Sequence, residues 1–67
     1  MNFDAPIFIS LHSVGVEGMI NVHNINAVAP YNDTITHIYM NRREEPMCVD
    51  ESYEEIKKKL LNVGIIL

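Results

Sequence analysis

A single helical pattern near the end of the chain constrains the fold more than any other feature of this sequence. Ser52 and Glu55 have the spacing of a capping box, in which the serine hydroxyl accepts from the Glu55 backbone N–H and the glutamate carboxylate accepts from the Ser52 backbone N–H. Gly64 is placed to end the helix. The apolar stripe between these signals consists of Ile56, Leu60 and Val63. The pattern predicts one amphipathic helix.

The charges of this helix also have a structural explanation. Acidic residues begin it, and Lys57, Lys58 and Lys59 lie toward its end, which complements the helix dipole. Glu54 with Lys58, and Glu55 with Lys59, stand four residues apart in the favourable order for ion pairs. We therefore interpret the helix as the element that closes the fold.

The residues before the helix have the period and composition of short strands. Alternating or β-branched runs occupy residues 5–12, 19–21, 25–29, 34–41 and 46–50, and turn signals separate them at 13–18, 22–24, 30–34 and 42–45. This order predicts an α+β fold, with a small antiparallel β-sheet of four to five short strands followed by one C-terminal α-helix. A chain of 67 residues has room for a single domain, so we assign residues 1–67 to one.

Alternation assigns faces and boundaries within these strands. The clearest strand places Thr36, Ile38 and Met40 on one face and Ile35, His37 and Tyr39 on the other. Gly15 and Gly18 mark the first turn. Asn21 marks the end of the second strand, because its side chain bonds backbone groups two or three residues further on. Cys48 is expected to be a small buried residue of the last strand.

Charge and apolar patterning argue against several classes of protein. Nine acidic residues against five basic ones give a formal charge of −4, the opposite of the balance typical of nucleic-acid-binding proteins. No apolar run approaches the ~20 residues that span a bilayer, so we expect no membrane insertion. The start of the sequence does not have the pattern of a signal peptide. A single cysteine forms no intrachain disulfide, and we expect a soluble, cytoplasmic domain.

The residue types that support chemistry lack the spacing that chemistry needs. The soft metal ligands are Cys48, His12, His23 and His37, and no two of them have zinc-site spacing. The serines lack a local catalytic signature. The acidic cluster formed by Asp50, Glu51, Glu54 and Glu55 lacks the glycine-containing loop of a calcium site. We expect no metal, no cofactor and no enzymatic activity.

Several positions taken together resemble a known pattern. Ile20, Asn21, Ile25 and Val28 are followed by Thr36, Ile38 and Met40, then by residues 49–52 (VDES) and 53–56 (YEEI). This order resembles the FlbD-like family of small flagellar and swarming motility proteins, whose pattern reads I-N-x-x-x-I-x-x-I, T-x-I-x-L and V-x-E-S-x-E-E-[VI]. The match covers most of the chain from Ile20 to Leu60. The family's usual Asn-Gly hairpin turns are replaced here by VGVEGM and NRREEPM.

The resemblance implies a function as well as a fold. It implies a non-enzymatic cytoplasmic accessory that acts by protein–protein contact without a cofactor. A phage or mobile-element relative of the same fold would act in the same way. The alternative is a small regulator that binds a small ligand or nucleic acid on its β-sheet face.

The end of the sequence suggests where a partner binds. Ile65, Ile66 and Leu67 follow the Gly64 stop, so they do not extend the helical stripe, and burying each is worth roughly 1.5–3 kcal/mol. They either fold back onto the sheet or pack against another copy. We expect the second arrangement, in a symmetric homo-oligomer, most simply a dimer. His37 and Tyr39 complete the candidate interaction surface.

Overall fold

Two antiparallel sheets and one helix make up the fold. The structure, a computed structural model, describes residues 6–65. Its elements in chain order are β1 (Phe8–Ser13), β2 (Val16–Asn21), a 3₁₀ turn (Val22–Asn24), β3 (Ile25–Pro30), β4 (Thr36–Met40), β5 (Met47–Val49) and α1 (Tyr53–Asn62). The α+β class is confirmed. The strands divide, however, into a two-stranded sheet, β1-β2, and a three-stranded sheet, β3-β4-β5, instead of one sheet.

The first hairpin is longer, and its turn tighter, than the sequence predicts. β1 and β2 pair from Phe8↔Asn21 to Ser13↔Val16, so Val14 and Gly15 alone form the turn. Both have positive φ angles, 53° and 75°, as in the two-residue turns whose twist matches that of the flanking strands. The prediction that Gly18 belongs to the turn is wrong. Gly18 lies within β2, opposite Leu11.

The predicted turn between the two sheets is confirmed. Val22–Asn24 forms a single 3₁₀ turn, and the side chain of Asn21 accepts a 3.0 Å bond from the backbone N–H of His23. Asn32 organises the next loop in the same way, because its Oδ1 accepts from the backbone N–H groups of Thr34 and Ile35. Short polar side chains thus fix both boundaries.

The two faces of β4 are arranged as the alternation predicts. Thr36 and Ile38 are completely buried, whereas Tyr39 is exposed. β5 follows the same alternation: Val49 is buried and Met47 packs against the core, so Cys48 between them points outward. The prediction that Cys48 is buried is therefore wrong. In a strand of three residues, the inward positions at both ends leave only the outer face for the middle one.

The core lies between the sheets and the helix. Its buried apolar residues are Ile9, Leu11, Val22, Ile38, Val49, Ile56 and Leu60. The helix contributes Ile56 and Leu60, and Val63 packs at the margin, as the stripe predicts. No helix within residues 6–65 is long and apolar enough to cross a membrane.

Both helix ends match their sequence signals. The capping box between Ser52 and Glu55 is present. At the other end Gly64 has φ 89°, the backbone N–H of Ile65 donates to the Leu60 carbonyl at 2.9 Å, and that of Gly64 donates to the Leu61 carbonyl at 3.0 Å. These two bonds define a Schellman motif, in which an apolar contact accompanies the reversal.

The Schellman motif also places the first residue of the tail. Ile65 is half-buried and packs against the core of its own chain. This is the fold-back arrangement for that residue. Ile66 and Leu67 lie outside the described residues.

Candidate functional site

An open apolar cleft of about 230 Å³ lies on the inner face of the β1-β2 hairpin, away from the helix. Its lining consists of Leu11, Ser13, Val16, Gly18, Met19, Ile20 and Met47. Gly18 has no side chain to cover Leu11, its partner across the hairpin. A Cβ built at Gly18 would meet no atom within 4 Å. The cleft therefore exists partly because a glycine stands at this position of β2.

Strand β2 borders the cleft, and within residues 6–65 one of its edges is unpaired. Among these residues it bonds only to β1, and the alternation of an antiparallel ladder leaves every second backbone N–H and C=O pointing away from β1. Its register with β1 is uninterrupted, it contains no proline, and Glu17 is its single charged residue. Val16 and Met19 expose 68% and 67% of their surface. β2 therefore lacks a bulge and a proline, two of the devices that usually prevent strand addition at an edge.

Strand β3, an edge strand of the other sheet, has both of these devices. The register between β3 and β4 shifts between Ile25 and Ala27, where Asn26 forms a bulge. Pro30 ends the strand and has no N–H to donate. Bulges and prolines both disfavour edge-to-edge pairing. Of the edge strands β2 and β3, the part of the chain that the structure describes protects β3 and leaves β2 open.

The tip of the same hairpin is strained and apolar. Val14 has φ 53°, in the left-handed region that β-branched residues rarely adopt, and it is 86% exposed. Asparagine or glycine would adopt this conformation at lower cost. Backbone strain of this kind clusters at functional positions, so it supports the hairpin as a candidate location for the site.

Glu51 holds the hairpin against the helix. One carboxylate oxygen accepts from the backbone N–H of His12 at 2.9 Å, and the other pairs with the ammonium of Lys59. Lys59 also donates to the Ser10 carbonyl at 2.7 Å, and the backbone carbonyl of Glu51 accepts from the Thr36 hydroxyl at 2.7 Å. One buried residue therefore connects β1, β4 and α1.

The pKa of Glu51 reflects two opposing effects. Burial by itself would raise the pKa, because only 8% of the side chain is exposed. The hydrogen bond from Lys59, the backbone hydrogen bond from His12 and the positive charge of Lys59 favour the ionised form of the carboxylate. Their combined effect is larger, so the pKa of Glu51 lies below its ordinary value. The Glu51 carboxylate is thus ionised at neutral pH, and both of its oxygens are engaged in structural contacts.

Further bonds join the hairpin to β5 and its following loop. The backbone N–H of Asp50 donates to the His12 carbonyl at 2.7 Å, and Asp50 Oδ2 accepts from the Gly15 N–H at 3.2 Å. The Ser13 hydroxyl donates to the Cys48 carbonyl at 2.7 Å. These contacts fix the position of the hairpin, and with it the shape of the cleft.

The acidic cluster at the helix start is not uniformly exposed, and the predicted ion pair of Glu55 with Lys59 needs correction. Glu51 is buried within the cluster, whereas Glu54 and Glu55 are exposed. Lys59 pairs with Glu51 and not with Glu55, whose carboxylate bonds the backbone N–H of Ser52. A buried partner with fixed geometry attracts the ammonium more strongly than an exposed one already engaged in a cap.

The predicted interaction residues lie on different sides of the molecule. His37 and Tyr39 occupy the outer face of β4, and the ring of Tyr31 stacks on His37 with centroids 4.7 Å apart. Ile65 packs into the core side instead. The structure therefore does not join His37 and Tyr39 with Ile65 in one surface.

The candidate ligands for a metal are dispersed as well. No group of three or more His, Cys, Asp or Glu side chains within residues 6–65 is placed to hold a metal ion. Cys48 faces His37 across β4 and β5, while His12 lies on the hairpin beside Glu51. Sequence reasoning missed the cleft, whose only signal was a glycine, Gly18, between the apolar residues of β2.

No model of a known protein family matches the chain, and comparison with curated proteins and with solved structures produced no match either.

Proposed function

We propose that this protein is a non-enzymatic cytoplasmic interaction module that acts by protein–protein contact. Its binding site is the cleft together with the open edge of β2, and the occupant is an extended protein segment that adds to β2 as a new strand. The observation that supports this most directly is the contrast between the edge strands β3 and β2. β3 is protected by a bulge and Pro30, whereas β2 has an uninterrupted register and borders an apolar cleft.

Strand addition uses the two features that this site combines. Backbone hydrogen bonds along the edge supply affinity, and pockets for alternate side chains supply specificity. Residues of an added strand that face inward would lie over Gly18 and beside Ile20, where the cleft is open. An aliphatic side chain placed there would recover apolar burial on both sides of the contact.

The size and lining of the cleft favour a side chain over a cofactor or substrate. Its volume of about 230 Å³ is below the ~300–1,000 Å³ of ordinary small-molecule sites. The lining side chains are aliphatic or thioether, apart from Ser13, whose hydroxyl already donates to a backbone carbonyl. Such a lining supports binding rather than acid–base or nucleophilic chemistry.

The resemblance to FlbD-like motility proteins agrees with a contact function, and the structure explains what its motif positions do. Thr36, Glu51 and Ser52 bond one another or the helix start. These positions stabilise the fold, so their match to the family pattern supports a similar fold more than a particular partner. We propose an accessory role of the motility type, or that of a phage relative with the same mode of action.

A regulator that binds a ligand or nucleic acid on its sheet is the second candidate. The stacked rings of Tyr31 and His37, with Tyr39 nearby on the same strand, offer a stacking surface on the outer face of β3-β4-β5. The formal charge of −4 opposes binding to a phosphate backbone. We therefore rank it below protein contact.

The test compares binding by the wild-type protein with binding by a variant whose cleft is filled. Gly18→Val places a side chain in open space at an extended position and favours a strand. Ala27→Val, on the protected edge strand, is the matched control. Proteins of the native host that the wild-type protein retains are identified by mass spectrometry and purified. Their binding to the wild type and to both variants is then measured by calorimetric titration.

A protein partner should bind the wild type and Ala27→Val equally and bind Gly18→Val roughly tenfold or more weakly, because the cleft no longer admits a side chain. Equal affinity for all three proteins would place the contact elsewhere. Failure to find any binding protein, a second copy of this chain included, would contradict the proposed function.

A further inference from the structure

We propose that the strand added to β2 is the β2 strand of a second copy of this chain, in a symmetric antiparallel dimer. The inference rests on the proposed function and names the occupant of its site. It follows from the complementarity of β2 with itself, because the strand carries an inward gap at Gly18 and, two residues away, an inward aliphatic side chain at Ile20.

In one antiparallel register of the two β2 strands, the gap of each copy meets the aliphatic side chain of the other. If Met19 of each copy faces Met19 of the other, Ile20 of each copy stands opposite the partner's Gly18. Both residues belong to the inner face, so each Ile20 side chain lies over the gap that lines the other cleft. A two-fold axis requires this reciprocity, in which the same patch is used by both copies.

Charge distinguishes this register from its neighbours. With Met19 at the axis, Glu17 faces Asn21 of the other copy, a polar residue without charge. Moving the axis to Glu17 puts two carboxylates directly opposite one another, which destabilises a strand pair. Moving it to Gly18 sets glycine against glycine and leaves both clefts without a side chain. The register centred on Met19 alone fills the clefts and separates the charges.

The first experiment measures the mass of the full-length protein by sedimentation equilibrium over a range of concentrations. We expect a concentration-dependent species of twice the 7.7 kDa chain mass. Met19→Lys should raise the dimer dissociation constant roughly tenfold or more, because two ammonium groups would meet at the axis. Met19 is 67% exposed, so this variant should keep the circular dichroism spectrum of the wild type.

The control carries the same change elsewhere. Leu61→Lys introduces one charge at an apolar residue that is 48% exposed on α1, away from β2, and it should dimerise as the wild type does. A wild-type protein that stays monomeric up to about 1 mM would overturn the proposal. So would a dimer that Met19→Lys leaves intact.

The second experiment tests the register between the two β2 strands of the dimer. In a Cys48→Ser background, which removes the native thiol, Met19→Cys places two sulfurs across the axis, where opposite Cα atoms are about 4.5–5.5 Å apart. This spacing suits a disulfide, so mild oxidation should cross-link the dimer efficiently. Glu17→Cys in the same background places the two thiols about 13 Å apart along the strands and should cross-link poorly. Equal cross-linking of both variants would contradict the register.

Different experimental results would contradict the dimer and the proposed function. If the wild type is monomeric but another protein binds it and loses affinity for Gly18→Val, the cleft functions in strand addition and the second copy is the wrong occupant. If the wild type is monomeric and no protein binds it, both proposals are wrong.

Discussion

Lys59 and Glu51 form an ion pair, and both of its members bond the backbone of β1, which fastens the helix to the hairpin. The Glu51 side chain is 8% exposed and that of Lys59 is 31% exposed, so solvent reaches the pair from the lysine side. The same carboxylate accepts the backbone N–H of His12, and the same ammonium donates to the Ser10 carbonyl. The relation matters for the proposed site, because the strand that these bonds hold in place, β1, forms the floor of the cleft.

Replacing Glu51 with alanine should therefore destabilise the protein by about 1–3 kcal/mol, since it leaves the His12 N–H and the Lys59 ammonium without their buried acceptor. The upper part of this range is moderated by the partial exposure of Lys59. Urea denaturation measures the change. Glu54→Ala, at an exposed residue three positions further on, should alter stability by no more than ~0.5 kcal/mol and serves as the control. Equal effects of the two substitutions would contradict the structural role of Glu51.

The stability of the fold should depend on pH through Glu51. Its pKa is lowered by folding, so its contribution is complete above the ordinary value of 4.5 and is lost as pH falls through the lower, folded-state pKa. Stability should thus decrease below about pH 4.5 more steeply in the wild type than in Glu51→Gln, which does not titrate. Urea melts of both proteins between pH 7 and pH 3 test this, because other carboxylates cancel in the difference. A difference that stays constant across that range would show that Glu51 does not carry the effect.

The hairpin turn offers a stabilising substitution. Val14→Asn should increase stability by about 0.5–1 kcal/mol, because asparagine adopts the left-handed conformation more readily than a β-branched residue and Asn-Gly suits this two-residue turn. Val14→Thr has the same shape as valine and adds polarity without relieving the strain, so it should produce little or no gain. Thermal melts of the three proteins distinguish the two effects. A similar gain from threonine would attribute the result to exposure and not to backbone conformation.

The capping box at the start of α1 should contribute a similar amount to the free energy of unfolding. The Ser52 hydroxyl accepts from the Glu55 backbone N–H at 3.2 Å, and the Glu55 carboxylate accepts from the Ser52 backbone N–H at 3.2 Å. Ser52→Ala should cost about 1 kcal/mol, the usual loss of an N-cap hydroxyl. Glu55→Ala should cost less, because it removes only the return bond. A denaturant melt in which Ser52→Ala leaves the midpoint unchanged would place the start of the helix elsewhere.

Most features that depend on neighbours within about four residues were correctly predicted from the sequence, and the pair of Glu55 with Lys59 is an exception. The capping box at Ser52, the stop at Gly64 and the turn after Asn21 all involve bonds between nearby positions, and each is present. The inward face of β4 follows from the period of two, because side-chain direction in a strand alternates whatever its partner is. These signals determined the order of the elements and the α+β class.

Tertiary structure decided the features that make up the candidate site. The carboxylate of Glu51 meets the backbone of His12 across 39 positions of the chain, so its burial has no local signature, and an acidic run at a helix start is ordinarily solvated. Gly18 resembles a turn residue until the two-residue turn at Val14 and Gly15 places it within β2. Whether an edge is open depends on how the strands are ordered in the sheets, and that order is set by contacts between distant segments. The sequence therefore determined the order of the elements by itself, and only their packing produced the cleft and left β2, among residues 6–65, with an unpaired edge beside it.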